Sequence, residues 1–188
     1  DDAGIARLGA HGLMPLIEKE FLHRDGRRIP VLVGAGNLMA DRGQGFAVVI
    51  DISATRDAER ALAESEARFR AITNAMPQMV WSTRPDGFHD YYNDQWYAFT
   101  GVPPGSTDGE GWNDMFHPDD QDAAWAKWRH SLATGEPYEI EYRLRHRDGG
   151  YRWVLGRALP VRDANGEIVR WMGTCTDIHE HKLTEDAL

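Results

Sequence analysis

Hydrophobic and polar positions alternate most regularly between Tyr138 and Ile178. The apolar members of the alternation are Tyr138, Ile140, Tyr142 and Leu144, and the polar members are Glu139, Glu141, Arg143 and Arg145. This period of two predicts a strand with one buried face and one solvated face. The pairs Asp148-Gly149 and Asn165-Gly166 are typical of tight turns. The stretch therefore predicts an antiparallel meander of three strands that leads into a helix.

The same pattern occurs earlier in the chain. The motif His-Arg-Asp-Gly at residues 23–26 returns at 146–149, and Asp51-Ile52 returns as Asp177-Ile178. Two matches at nearly equal offsets indicate a tandem repeat of one domain type, of which the first copy is incomplete. In that first copy, residues 1–12 are expected to form the last part of a helix that ends at Gly12. Three strands are expected to follow, at Leu16–His23, Arg28–Leu38 and Gly45–Ile52.

The segment Ser53–Met76 has no internal Gly or Pro and is rich in Ala, Glu and Arg, which predicts one long helix of about 36 Å. Its apolar and small residues step by three and four along one narrow seam. They are Thr55, Ala58, Leu62, Ser65, Phe69, Ile72 and Met76. A seam of this kind is typical of a two-stranded coiled coil, and we favour it over a helix that lies on its own domain.

The second copy begins after this helix. The elements predicted before its meander are strands at Met79–Thr83 and Phe88–Tyr92, a short helix at Asn93–Phe99, and a longer helix from Pro118 to Thr134. Pro118, the acidic first turn that follows it and Gly135 mark the two ends of the longer helix. Its inward stripe is predicted to contain Trp125, Trp128 and Leu132. The order of elements predicts an α+β domain with one antiparallel sheet and helices on one face.

Read in order, the motifs of the second copy resemble a PAS domain with its C-terminal PAC motif, of the type common in bacterial sensor histidine kinases. The motifs that carry the resemblance are residues 81–87, Tyr91-Tyr92-Asn93, Phe99-Thr100-Gly101, His117-Pro118-Asp119-Asp120, Tyr142-Arg143, Asp148-Gly149 and Asp177-Ile178. The resemblance implies a five-stranded antiparallel sheet whose first strand lies between the second and the last. The implied domains are the C-terminal part of a first PAS domain at 1–52, a signalling linker helix at 53–76, a complete PAS domain at 77–178 and the start of an exit helix at 179–188.

The resemblance also implies a function, namely relay of signals and dimerisation in a multi-domain bacterial protein. The expected parent is a sensor histidine kinase whose catalytic domain lies outside this chain. Signals would pass through the junctions at Asp51, Asp177 and Ile178, although His179 replaces the hydroxyl residue that usually follows. A homodimer is expected through the helix seam, through the open strand edge at Gly45–Ile52, or through both. This edge is expected to be covered either by another chain or by the second copy. The seam residues expected in the dimer are Leu62, Phe69, Ile72 and Met76.

A pocket between sheet and helices is the place where a PAS domain would hold a ligand. The candidate lining residues are Trp81, Trp96, Phe99, Trp125 and Trp128. We favour a filled aromatic core, with a small, partly apolar ligand as the alternative. Haem is a further alternative, but His130 lies off the inward stripe of its helix. Flavin photochemistry of the LOV type is not expected, because residues 111–116 contain no cysteine.

An enzymatic site is the remaining alternative. Acid–base and metal-ligand residue types occur at His89, Asp90, His117, Asp119 and Asp120, but their spacing matches no known catalytic or metal motif. No catalytic residue or metal ion is therefore predicted, and haem or a small apolar ligand stays an alternative for the core pocket.

Composition limits the possible partners and the cellular location. The net charge of −9 without a basic tract argues against nucleic acid, and no apolar run approaches the length that spans a membrane. The single cysteine, Cys175, fits a reducing compartment such as the cytoplasm. Because the chain lacks an initiator methionine, we expect it to be an interior piece of a longer protein.

Overall fold

The computed structural model describes residues 13–39 and 44–185 and forms two compact units, with the boundary between Ala67 and Arg68 inside a long helix. The helix end predicted for residues 1–12, and the last three residues of the predicted exit segment, lie outside the described residues. The elements are β1 Leu13–Leu22, β2 Arg28–Met39, β3 Gln44–Asp51, α1 Ser53–Ala75, β4 Met79–Thr83, β5 His89–Tyr92, α2 Asp94–Thr100, a 3₁₀ turn Asn113–Met115, α3 Pro118–Thr134, β6 Tyr138–Arg145, β7 Tyr151–Arg162, β8 Ile168–Asp177 and α4 His179–Glu185.

The first unit contains the three-stranded antiparallel sheet β1-β2-β3 and the beginning of α1. The turn between β1 and β2 is closed by Asp25, whose carboxylate accepts a hydrogen bond of 3.0 Å from the backbone N–H of Arg27. β3 is an outer strand of this sheet, and Phe46, Val48 and Ile50 on it are exposed. The predicted strand edge is therefore present as an apolar surface.

The second unit contains the five-stranded antiparallel sheet β5-β4-β8-β7-β6. β4, the first strand of the unit, lies between β5 and β8, as the resemblance implied. Side chains on the inner face of this sheet, such as Trp171, Val154 and Leu144, are fully buried against the residues of α2 and α3. The predicted α+β layout, with helices packed on one face of one antiparallel sheet, is confirmed.

Helix α3 begins and ends where its sequence predicts, but its buried face is rotated. Pro118 occupies the first turn, and Gly135 adopts the left-handed conformation at the C-terminus with φ 73°. The fully buried residues are Ala124, Trp128 and Ser131, whereas Trp125 and Leu132 of the predicted stripe are only half-buried. Small side chains at 124 and 131 let the helix backbone approach the core closely, which hydrophobicity alone did not indicate.

Helix α1 is a long helix with little burial. Among its described residues only Thr73, two residues before its end, is buried. None of the helices in residues 13–39 and 44–185 combines the length and the hydrophobicity needed to cross a bilayer.

Candidate ligand cavity and helix junctions

A small cavity lies between the sheet and the helices of the second unit. Its volume is about 20 Å³, which is room for roughly one water molecule. The lining residues are Trp81, His89, Tyr92, Trp96, Trp112, Phe116, Trp128, Tyr138, Tyr142 and Cys175. The cavity is the small space that remains between closely packed aromatic rings. For example, the rings of Trp81 and Trp128 meet edge to face with centroids 5.6 Å apart.

Gly173 on β8 explains how the Trp81 ring can lie flat against the sheet. The two residues are directly paired across β4 and β8, and a Cβ at Gly173 would lie 2.3 Å from the Trp81 ring. No side chain larger than hydrogen fits there without moving the ring. The sequence of β8 therefore sets the position of one cavity wall.

The structure places three of the five predicted lining residues, Trp81, Trp96 and Trp128, in the cavity wall. The other two lie elsewhere. Phe99 packs edge to face on His146 with a centroid distance of 4.9 Å, and Trp125 packs on the outer side of Trp112 at 4.8 Å.

Several lining residues were missed by the sequence reasoning. The alternation along β6 already showed that Tyr138 and Tyr142 face inward, and could have identified them. Trp112 lies in an irregular loop where no periodicity indicates burial. His89 was considered only as a candidate acid–base or metal-binding residue.

The cavity contains no charged group near neutral pH. Burial lowers the pKa of His89 to about 3, although hydrogen bonds with the backbone of Gly87 and Gly109 and the charge of Asp90 act in the opposite direction. Burial also raises the pKa of Cys175 to about 11, so this thiol is neither a thiolate nor a strong nucleophile. Neutral rings and a neutral thiol make this wall suited to a filled core or to a very small neutral molecule.

The cavity is far below the several hundred Å³ that a bound cofactor or drug-sized ligand fills. His130, considered above as a haem ligand, is exposed and its Nε2 lies 2.8 Å from a carboxylate oxygen of Glu136. These observations favour neither haem nor flavin in this core.

The candidate acid–base residues make structural contacts. His117 caps α3, since its Nδ1 accepts a hydrogen bond of 3.2 Å from the backbone N–H of Asp119. Asp120 accepts hydrogen bonds from Nε and Nη2 of Arg143 at 2.9 and 2.7 Å, and these bonds hold the pKa of Asp120 below its ordinary value. Within the described part of the chain, no three His, Cys, Asp or Glu side chains cluster in a way that could hold a metal.

Asn93 connects the end of α1 to the core. Its side-chain amide donates hydrogen bonds to the carbonyl oxygens of Thr73 at 2.8 Å and of Gln78 at 2.9 Å. Its Oδ1 accepts hydrogen bonds from the backbone N–H groups of Val80 on β4 and Trp96 on α2. A single buried side chain thus links α1, strand β4 of the sheet and a helix whose tryptophan lines the cavity.

Asp177 makes the corresponding link at the other end of the unit. Its Oδ1 accepts a hydrogen bond of 2.9 Å from the backbone N–H of His179, and its Oδ2 lies 3.0 Å from Nε of Arg152. The backbone N–H of Ile178 donates to the carbonyl of Trp153 at 2.9 Å. The side chain of Asp177 thereby caps α4 without the hydroxyl residue that the resemblance led us to expect.

Two of these three contacts recur at Asp51, before α1. Its Oδ1 accepts a hydrogen bond of 2.8 Å from the backbone N–H of Ser53, and the N–H of Ile52 donates to the carbonyl of Pro30 at 3.0 Å. Hydrogen bonds with Ser53 hold the pKa of the Asp51 carboxyl below its ordinary value. The repeated sequence motif therefore has a repeated local geometry.

The predicted seam residues lie on the surface of α1 and just beyond its end. Leu62, Ile72 and Met76 are exposed, with 62%, 56% and 44% of their surface accessible. Phe69 is 38% exposed and packs on the ring of Tyr91 with a centroid distance of 4.9 Å. These four residues thus form an exposed apolar stripe. One of them, Phe69, also contacts the sheet.

Comparison with known proteins gives consistent matches. A family profile described as PAS fold matches residues 89–175. The N-terminal domain of a diguanylate cyclase with PAS/PAC sensor from Marinobacter aquaeolei is 30% identical, with a TM-score of 0.51 over 56% of this chain and 98% of that one. The uncharacterized protein y4lL of Sinorhizobium fredii is 38% identical over 142 residues, which are 76% of this chain and 17% of that protein.

A further relative is the peroxide stress-activated histidine kinase mak1 of Schizosaccharomyces pombe. It is 30% identical over 159 residues, which are 76% of this chain and 10% of that protein. The chain thus spans no more than 17% of the length of these two curated relatives. The sheet order of the second unit, the profile match and the solved N-terminal domain of the diguanylate cyclase agree, and the chain therefore belongs to the PAS-fold family.

Proposed function

We propose that this chain is a signal-relay and dimerisation module of a longer bacterial signal-transduction protein. The observation that carries the proposal is that the helices entering and leaving the second unit, α1 and α4, are bonded to its core. Asn93 links α1 to the cavity wall, and Asp177 links α4 to β7 through Arg152. A change of packing in the core would shift these helices, and small rigid helix shifts are an established mode of switching.

We assign the parent protein a histidine kinase output and a location in the bacterial cytoplasm. The relative mak1 is named a histidine kinase, and the solved N-terminal domain comes from a protein named a diguanylate cyclase with PAS/PAC sensor. In this assignment the chain itself contributes no catalysis, and a kinase domain outside these residues acts as the downstream partner. The single, buried Cys175 is consistent with a reducing compartment.

We further propose that residues 1–52 are the C-terminal part of a first PAS domain, 53–76 a linker helix, 77–178 the complete domain and 179–188 the start of an exit helix. Support comes from the turns of the two copies. Asp25 lies 2.9 Å from Nδ1 of His23, and Asp148 lies 3.0 Å from Nδ1 of His146. The matching bonds of Asp51 and Asp177 are a second, separate similarity.

Dimerisation through the seam of α1 has a direct test in disulfide cross-linking. Cysteines that replace Leu62 or Ile72 should cross-link rapidly under mild oxidation, because seam residues of two parallel helices face each other. Cysteines at Ala67 and Ala71, off the seam on the same helix, are the matched controls and should react slowly. Native Cys175 is buried and does not interfere. Equal rates at all four positions would show that no such seam forms.

The exposed strand β3 is a second surface that supports dimerisation. It forms hydrogen bonds with β2 and carries the exposed side chains of Phe46, Val49 and Ile50. Open edges with apolar side chains promote pairing with another chain. If the helix seam fails the cross-linking test but the protein still sediments as a dimer, this edge becomes the proposed interface.

The junction at Asp177 tests the coupling between the core and α4. We expect Asp177→Ala to lower the free energy of unfolding by about 1 kcal/mol, since the helix cap and the ion pair with Arg152 are both lost. Hydrogen exchange of residues 179–185 should accelerate more than exchange elsewhere. Asp177→Asn keeps a capping oxygen and should retain most of the helix protection. Unchanged exchange in Asp177→Ala would remove Asp177 from the proposed relay.

A further inference from the structure

The outer face of the five-stranded sheet, opposite the face that lines the cavity, carries a cluster of charged side chains around one tryptophan. The ring of Trp153 on β7 is half-buried, and two cations contact it. The guanidinium carbon of Arg143 on β6 lies 5.4 Å from the ring centroid, and Nζ of Lys182 on α4 lies 5.8 Å from it. A cation over an indole face within about 6 Å is attracted by the ring quadrupole. One ring therefore contacts both a neighbouring strand and the exit helix.

Each of the two cations also has a carboxylate partner. Asp120, in the first turn of α3, accepts hydrogen bonds from Nε of Arg143 at 2.9 Å and from Nη2 at 2.7 Å, which fixes the orientation of the guanidinium. Oε2 of Glu141 lies 2.6 Å from Nζ of Lys182. The side chains of Arg143, Lys182 and Asp120 are 29%, 27% and 17% exposed, so solvent screens these pairs less than it screens fully exposed ones.

The spacing along β6 makes the two ion pairs depend on each other. Glu141 and Arg143 are two residues apart on one strand and therefore project from the same face of the sheet. Arg143 is nevertheless bonded to Asp120 of α3, which leaves Glu141 to Lys182. Asp119, the other carboxylate near Arg143, is 74% exposed and lies 3.5 Å away, too far for a strong hydrogen bond. If Asp120 loses its charge, Glu141 becomes an alternative partner for the guanidinium.

We propose that this charge cluster couples the N-terminus of α3 to the exit helix α4. Its members are Asp120, Arg143, Trp153, Lys182 and Glu141. Asp120 keeps Arg143 on the ring and away from Glu141, and Glu141 together with the ring holds Lys182, and with it α4, against the sheet. This connection is separate from the helix cap that Asp177 provides for α4. The coupling stands on these contacts alone, and only its use in signalling rests on the proposed relay function.

The test measures amide exchange of residues 180–185 with water in the full chain, by NMR on the millisecond-to-second timescale. None of the residues of α4 is buried, so this short helix opens without unfolding of the domain, and the rates report α4 and not global stability. Lys182→Met keeps the apolar stem but removes the charge, and should accelerate exchange about two- to fivefold because a cation–π contact and an ion pair are lost. Asp120→Asn, on a different helix, should accelerate it about twofold.

The coupling itself is measured in the double variant. In Lys182→Met the contact between the cluster and α4 is already lost, so adding Asp120→Asn should have no further effect on exchange in α4. The matched control is Asp122→Asn, which removes the same charge from an exposed residue of α3 and should leave α4 unchanged. Lys182→Arg keeps a cation over the ring and should exchange at nearly the wild-type rate.

Unchanged exchange in Asp120→Asn or in Lys182→Met would overturn the proposal. It is also overturned if Asp122→Asn accelerates exchange equally, if Lys182→Arg behaves like Lys182→Met, or if the effects of Asp120→Asn and Lys182→Met are additive. If Asp120→Asn does not fold, Arg143→Met breaks the same connection from the strand, and the same additivity criterion applies. Signalling is not part of the readout. Failure of the relay proposal would therefore leave this coupling standing, and failure of the coupling would leave the junction at Asp177 unaffected.

Discussion

Replacing Trp128 by alanine is expected to lower the free energy of unfolding of the second unit by about 4 kcal/mol. Trp128 is 2% exposed, and its ring packs edge to face on Tyr138 and on Trp171, with both centroids 5.3 Å away. Removing the ring leaves a large cavity next to the existing one, and the flat rings around it cannot collapse to fill it. Domains of this size have total stabilities of about 5–15 kcal/mol, so the variant should be close to unfolding.

Urea unfolding followed by circular dichroism measures this loss. Trp125→Ala is the matched control, because Trp125 is on the same helix and has the same chemistry but is only half-buried against Trp112. Its loss should be less than half as large. Equal losses for the two variants would mean that α3 packs with the face predicted from hydrophobicity and not with the face containing Ala124 and Ser131.

Trp125 and Trp128 show which feature of α3 the sequence pattern does not predict. Periodicity and capping residues predicted α3 and its ends, and the turn glycines and alternation predicted the sheet. Neither pattern predicts how far a helix rotates on the sheet. That rotation depends on where small residues such as Ala124 allow close approach, and on rings such as Trp112 that come from a loop without periodicity. Tertiary packing decides both, and it is encoded in the volumes of residues distant in the sequence.

Of the two helix junctions of the second unit, the sequence predicted one and not the other. The motif Asp177-Ile178 identified the link to α4, because a carboxylate before a helix is a local capping signal. Asn93 was placed only in the resemblance motif and at the start of α2. Its bonds to Thr73 of α1, Val80 of β4 and Trp96 of α2 bring together three elements, and no local sequence pattern predicts such contacts. Long-range hydrogen bonds of a single buried amide therefore become visible only in the structure.

The stability of the second unit is expected to fall as the pH is lowered from 6.5 to 5, and His89 should account for about 2 kcal/mol of that fall. Burial lowers the pKa of His89 from 6.5 to about 3 in the folded protein. Between these values the unfolded chain binds a proton on this residue and the folded protein does not, so acidification favours unfolding. Each pH unit within the window contributes about 1.4 kcal/mol.

Urea unfolding of the wild type and of His89→Gln at pH 6.5 and pH 5 isolates this contribution, because the variant lacks the titrating group. Glutamine keeps a donor and an acceptor, so the variant should fold with its absolute stability lowered but with a pH dependence weaker by about 2 kcal/mol over this range. The carboxylates with lowered pKa, such as Asp120, titrate below this window and do not contribute to the difference. A wild-type pH dependence equal to that of His89→Gln would mean that His89 is hydrated and protonates freely in the folded protein, and the cavity would then be open to solvent.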